Sequence, residues 1–258
     1  MNTNIQTIQS LKSVRPIVAT TVYDSVMAQL ADQSGIDLLL VGDSVGTTIL
    51  GFETTINVTL EMMLHHTSAV SRVQTKALIV SDLPYGYSHD AFEHIFEACR
   101  KLIQAGASAV KIEGGSSIAP TIKRLVDSGI PVLGHIGLLP QQIKNLGKYR
   151  KFGKTEAEAK ALMQDATALE DAGCFALIGE MISETVAKEI SEMVKIPLIG
   201  IGSGVHCDGQ ILVSNDLLGL TTKAVPSFVH SFSNLSQNVI QSFQEYKKAV
   251  IERKYPNE

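Results

Sequence analysis

The feature that most constrains this chain is a repeated pattern in which a short apolar run stops on a polar residue. Leu38-Leu39-Leu40-Val41 runs into Gly42-Asp43-Ser44, Ala77-Leu78-Ile79-Val80 into Ser81-Asp82, Ala109-Val110 into Lys111-Ile112-Glu113, and Phe175-Ala176-Leu177-Ile178 into Gly179-Glu180. Unbroken apolar runs of this length read as strands covered on both faces, the situation of parallel sheets, and the polar residues at their C-terminal ends share one face. Residues 17–22, 131–135, 197–201 and 211–214 supply the other strands of the series.

Helix signals fill the intervals. They predict helices over Ser25–Ser34 closed by Gly35, over Thr59–Val73, from an N-cap at Ser88 to Gly106, and from a cap near Ser116 or Ser117. Further on, the capping box Thr155–Glu158 opens a helix that ends at Gly173, another starts near Ser183, and a last one covers about residues 234–253. Residues 46–58, rich in threonine and glycine, read as a loop long enough to cover a site. Eight strand–helix alternations in one undivided chain of 258 residues predict an α/β fold, a (β/α)8 TIM barrel. It is read as a single domain over residues 1–258, with an N-terminal extension and a C-terminal helix. A doubly wound sheet would need a switch point that the chain does not display.

Bulk properties exclude several classes. Hydrophobic residues make up 45% of the chain and mean hydropathy is +0.15, yet no apolar run approaches the roughly 20 residues of a membrane helix. The start, Met1 to Gln6, lacks the basic-then-apolar order of a secretion signal, so the expected location is cytoplasmic. A net charge of −4 and a pI near 6.0 argue against nucleic acid as a partner. Cys99, Cys174 and Cys207 have neither disulfide nor zinc spacing, and Cys99 and Cys174 read as small core residues.

The strand ends carry the chemistry. In a barrel, Asp43, Asp82 and Glu113 meet at one mouth, where three carboxylates repel unless a cation lies among them; oxygen donors without histidine or thiolate suit magnesium. Each acid taken singly is as well read as a solvated strand end or a helix cap. Lys111 and Glu113, two apart on one strand, share a face. The lysine has three readings: a partner for a substrate carboxylate, a Schiff-base amine, or a plain salt bridge. Glu180 follows an apolar run that raises its pKa, which suits a general base acting on a carbon acid, although a capping acid is an equal reading. His135 ends its strand and is as readily a core histidine as a site residue. Gly200–Gly204 reads as a tight turn rather than a phosphate cradle, and Lys148–Lys154 as a solvated basic loop.

Several ordered motifs then resemble a known family. Leu40-Val-Gly-Asp-Ser-Val-Gly46, Ser81-Asp-Leu-Pro84, Ala109-Val-Lys-Ile-Glu-Gly-Gly115, Gly134-His-Ile-Gly-Leu138 with Pro140-Gln141, and Cys207-Asp-Gly-Gln210 together look like ketopantoate hydroxymethyltransferase, from about Tyr23-Asp24 to the last helix. The resemblance implies a barrel assembled into a large homo-oligomer, a decamer in the family. It also implies the first step of pantothenate synthesis, in which 5,10-methylenetetrahydrofolate gives a one-carbon unit to 3-methyl-2-oxobutanoate, forming 2-dehydropantoate by way of a magnesium-stabilised enolate. One magnesium per subunit falls on Asp43, Asp82 and Glu113, the last with water between; substrate contacts fall on Asp43, Ser44, Asp82 and Lys111, and the proton acceptor on Glu180. The alternatives are another magnesium-dependent 2-oxo acid lyase or aldolase on the same barrel, and a barrel that binds metabolites without chemistry. Departures from the family pattern are Met181-Ile182 where it usually has Val-Pro, Ser203 for a common alanine, Leu139 for a common threonine, and Tyr85-Gly86-Tyr87 for a more usual Phe-Gly-Ser-Tyr.

Overall fold

The computed structural model describes residues 3–147, 149–222 and 225–256 and contains two compact units, Met1–Ile211 and Leu212–Glu258. Eight strands close into a barrel in chain order: β1 Ile17–Thr21, β2 Leu38–Val41, β3 Leu78–Asp82, β4 Ala109–Glu113, β5 Val132–Gly137, β6 Ala176–Glu180, β7 Leu198–Ile201 and β8 Gly209–Leu212. The ladders from β1 through β8 are parallel. Ile17 N–H donates to the Asp208 carbonyl at 2.9 Å, next to the closing pair.

Strand alternation divides the apolar residues into two layers. Leu38 and Leu40, Leu78 and Val80, Ala109, Leu133, Ala176 and Ile178, Ile199 and Ile211 belong to one buried cluster, the barrel interior. Leu39, Val41, Ile79, Val110, Ile112, Val132, Leu177 and Leu198 pack with helix residues such as Ile95, Leu102, Ile122 and Ile190 in the other. Because the side-chain period is two, the same parity that sends Val80, Ala109, Leu133 and Ile178 inward sends Asp82, Lys111 and Glu113, His135 and Glu180 inward at the strands' C-terminal ends. At the N-terminal ends, Ile8 of the helix Ile5–Leu11 is fully buried in the interior cluster. Burying a side chain of that size is worth about 1.5–3 kcal/mol.

Local signals set several helix starts. Asp24 accepts from Met27 N–H, Thr59 from Met62 N–H and Thr155 from Glu158 N–H, opening Ser25–Gln33, Leu60–Ser71 and Glu156–Asp171. Elsewhere the expectations need correction. The helix after β3 starts at Phe92, not after Ser88, because a turn intervenes in which Asp90 accepts from Ala91 N–H. Residues 46–58 are not all loop: Val45–Thr48 is a short helix and Thr55–Asn57 a 3-10 turn. β5 runs to Gly137, and β8 lies two residues earlier than expected, with Ser214 opening a short helix instead of ending the strand. The apolar Ile211-Leu212-Val213 run marked the region, but pairing with β7 at Gly209 and Gln210 fixed the register. Within the second unit, the helix Leu235–Ile251 carries no buried residue. Among the described residues no helix is long and apolar enough to cross a membrane.

Candidate active site

Neighbouring strand ends assemble the mouth. Asp82 is register partner of Lys111, Glu113 of His135, and Gly137 of Glu180. Asp43 lies just beyond β2 on a tight approach permitted by Gly42, where an added Cβ would fall 2.8 Å from Ser44 Oγ and 3.5 Å from Asp82 Oδ2. That approach lets Asp43 N–H donate to Asp82 Oδ2 at 2.9 Å. Lys111 Nζ donates to Asp82 Oδ1 at 2.5 Å, with both side chains buried. Ser44 Oγ meets the hydroxyl of buried Tyr23 at 2.8 Å. The structure therefore brings Asp43, Ser44, Asp82, Lys111, Glu113 and Glu180 to one mouth.

Four carboxyl groups here face one ammonium, and their proton affinities follow. Burial, then the charge of Asp82, raises Asp43 to about 7. Burial raises Glu113 well above the usual carboxylate value. Glu180 rises to about 7, again through burial first, with Lys111 opposing and Asp82 adding to the shift. Burial works against the Lys111 charge, but Asp82, Glu113 and Asp43 outweigh it and raise its pKa. Lys111 is thus a held ammonium, a poor imine-forming amine and a good partner for an anionic substrate.

His135 lies between two acids, with Nδ1 3.7 Å from Glu113 Oε1 and Nε2 3.4 Å from Glu180 Oε2. Neither approach is a hydrogen bond: both ring nitrogens and Glu113 Oε1 are buried without a hydrogen-bond partner among the described residues. Burial, reinforced by the Lys111 charge, lowers the His135 pKa well below its ordinary value, so the ring is neutral. Glu180 keeps 18% of its side chain exposed.

The donors fit a hard divalent cation. They are oxygen atoms with surplus negative charge, and the orphaned Glu113 Oε1 is an acceptor turned on no protein donor. Among the described residues no three His, Cys, Asp or Glu side chains form a ready-made chelate. Such a set, with Asp82 already engaged by Lys111, suits an ion that keeps several waters rather than one enclosed by protein ligands.

Sequence reading missed two contributors. Gln141, quoted only as part of a motif, is buried and donates from its side chain to Asp43 and from its backbone to Glu113. Tyr23 stands behind Ser44. Neither is ionised at neutral pH, and neither ends an apolar run, so the rule that found the acids passes over both.

The departures after Glu180 also meet in space. Met181 has a positive φ of 51°, held by its N–H on the Ile201 carbonyl and by Phe152 N–H on its own carbonyl, both at 2.8 Å. Ile182 N–H donates to Ser203 Oγ at 3.0 Å, and Ser203 Oγ donates to the Gly179 carbonyl at 2.7 Å. A proline at 182 would bring no N–H and an alanine at 203 no acceptor, so the two departures satisfy each other. In the basic loop, Arg150 pairs with Glu158 at 2.8 Å and its guanidinium lies 4.0 Å from the centre of the Phe152 ring; Lys148 lies outside the described residues.

Fold and mouth together define a β/α-barrel enzyme with a buried acid–lysine centre. Residues 2–258 match the family described as ketopantoate hydroxymethyltransferase. A 3-methyl-2-oxobutanoate hydroxymethyltransferase of Nitrosopumilus maritimus is 47% identical over 259 residues, covering 100% of this chain and 93% of that protein. One of Thermotoga neapolitana is 46% identical over 255 residues, covering 99% and 94%. The chain belongs to the ketopantoate hydroxymethyltransferase family. Among solved structures, phosphonopyruvate hydrolase in complex with oxalate and magnesium superimposes with a TM-score of 0.63 at 12% identity over the whole of both chains. 2,3-Dimethylmalate lyase, of the PEP mutase/isocitrate lyase superfamily, gives 0.61 at 15% identity, covering 100% and 91%. At such identities these likenesses speak for the fold alone.

Proposed function

We propose that this mouth transfers a hydroxymethyl group from 5,10-methylenetetrahydrofolate to 3-methyl-2-oxobutanoate, giving 2-dehydropantoate and tetrahydrofolate with consumption of one water. The observation that carries this reading is Glu180: a carboxyl whose pKa lies near 7, partly open to solvent, beside a permanently charged lysine and surplus buried carboxylates. A base so tuned suits abstraction of a proton from carbon next to a keto group at neutral pH.

In this reading Lys111 and Ser44 receive the substrate carboxylate, with Tyr23 holding the Ser44 hydroxyl. Asp43, Asp82 and Glu113 would hold a divalent ion, taken to be magnesium and one per subunit. When bound, that ion supplies positive charge where negative charge develops on the keto oxygen. Glu180 takes the proton from the branched carbon. That carbon then bonds to the methylene carbon of the folate as one of the methylene's two carbon–nitrogen bonds breaks. Water displaces the second nitrogen and supplies the hydroxyl, and the two freed nitrogens take up the proton held by Glu180 and the one released by water. A cavity of about 370 Å³, lined by Tyr85, His89, Gln142 and Lys144 and bordering on Glu113 and Gln141, is where we place the folate. A large homo-oligomer and a cytoplasmic setting belong to the same reading.

Deuterium wash-in at the branched carbon, followed by NMR with and without magnesium and then with tetrahydrofolate, tests it. Exchange that needs the metal and disappears in Glu180→Gln supports the scheme. Exchange that persists unchanged in Glu180→Gln, or that is absent from the magnesium-loaded wild type, overturns it.

A further inference from the structure

Gln141 occupies the point where four strand ends meet. The loop after β5 is anchored by Leu138 N–H on the Glu180 carbonyl at 2.8 Å, and Pro140 opens the 3-10 turn Pro140–Gln142. From that turn Gln141 N–H donates to Glu113 Oε2 at 3.1 Å. Its Nε2 donates to Asp43 Oδ2 at 2.9 Å and to the Leu83 carbonyl at 3.0 Å. One buried residue, 5% exposed, thereby ties the ends of β2, β3 and β4 to the loop of β5.

The chemistry of the amide suits this place and few others do. A neutral nitrogen with two N–H groups serves a carboxylate and a carbonyl at once. A glutamate would turn an acceptor on Asp43, and a lysine would neutralise the charge that a cation is to neutralise. By engaging Glu113 Oε2, Gln141 leaves Glu113 Oε1 as the orphaned oxygen of the mouth.

We propose that Gln141 is the positioning residue of this mouth, setting which oxygens of Asp43 and Glu113 are presented to a divalent ion and, through it, to the oxo acid. The inference rests on the reading of the mouth as a metal and oxo-acid site. It predicts that removing the side-chain donor weakens metal binding about 10–100-fold, the range found when partners that orient metal ligands are lost.

The test uses Mn2+ as the probe, by titration calorimetry and electron paramagnetic resonance, on the full chain with and without 3-methyl-2-oxobutanoate. Gln141→Leu and the isosteric Gln141→Glu are compared with wild type, with circular dichroism to show that each is folded. Weaker Mn2+ binding in the folded variants, an altered spectrum of the Mn2+–oxo acid complex, and a rise in KM for the oxo acid together with a fall in kcat support the proposal. A residue that merely props the loop would lower the melting temperature and leave the spectrum of bound Mn2+ unchanged, and that result overturns it. If Gln141→Leu does not fold, Gln141→Glu decides by the same readings. Wild type that binds no Mn2+ overturns the metal reading of the mouth and this inference with it, whereas wild-type binding matched by both variants overturns the inference alone.

Discussion

The two ends of the barrel use the same residue types to opposite effect. At the N-terminal end, Asp37 takes a two-pronged hydrogen bond from Arg15 at 2.6 and 2.8 Å and Val18 N–H at 2.9 Å. Asp208 takes Lys12 Nζ at 2.6 Å, with Ser191 Oγ and Leu198 N–H both at 2.9 Å. At the C-terminal end, Lys111 pairs with Asp82 while Asp43, Glu113 and Glu180 feel only its charge, and Glu113 Oε1 and both nitrogens of His135 lack a hydrogen-bond partner among the described residues. Acids matched by donors close the foot of the barrel. Acids in surplus over donors leave the mouth holding charge for something that is not protein.

The sharpest way to break that comparison is to remove the base. Glu180→Gln is expected to cost about 10²–10⁴-fold in kcat, the usual worth of a positioned general base. Measured by product formation, with oxo-acid binding followed separately by calorimetry, binding should survive. If turnover fell no more than a few-fold, the mouth would be no more catalytic than the foot. Lys111→Met should cost about 3–5 kcal/mol of stability in urea unfolding, because it strands buried carboxylates that have no other cation beside them among the described residues.

Titration separates the two ends by sign. Asp43 and Glu180 bind protons more tightly folded than unfolded, their values rising from 3.8 and 4.5 to about 7. The metal-free protein should therefore lose melting temperature as pH rises from about 4 through 7, and added magnesium should recover it at pH 8. Asp37 behaves oppositely: burial raises its pKa, but Arg15 and Val18 N–H outweigh that and hold it below 3.8, so its stabilisation is lost only in acid. Through Glu180, kcat/KM should climb with pH through about 7. A flat profile from pH 6 to 8 would remove Glu180 from the role.

Smaller effects sharpen the contrast. Asp208→Asn should lower stability by about 1–3 kcal/mol and leave kcat unchanged, since it removes a charged acceptor from the closed end. The departures near Glu180 should show coupling in a double-mutant cycle. Ser203→Ala alone leaves Ile182 N–H unpaired at about 1–2 kcal/mol. The same change in an Ile182→Pro background should cost less, and equal costs in both backgrounds would dissolve the pair.

Much of this was legible in order along the chain. Period-two alternation carries Asp82, Lys111, Glu113 and Glu180 to one mouth as soon as their strands are recognised, because each ends or nearly ends an apolar run. β8 was displaced because Gly209 and Gln210 carry no apolar signal and were placed by pairing with β7. The start at Phe92 was displaced because Ser88 has the right chemistry for a cap but stands in a turn of its own.

The sequence by itself determined which side chains are acidic, which are apolar, and the rhythm that sends both inward. That information is local, since a strand's parity is written within five residues. Only the tertiary structure decided that Gln141 would cross from the β5 loop to Asp43, 98 positions away, that Tyr23 would stand behind Ser44, and that Asp37 and Asp208 would be satisfied while Glu113 would not. Hydrogen-bond satisfaction is a property of pairs, and partners distant in the chain become neighbours only when the barrel closes.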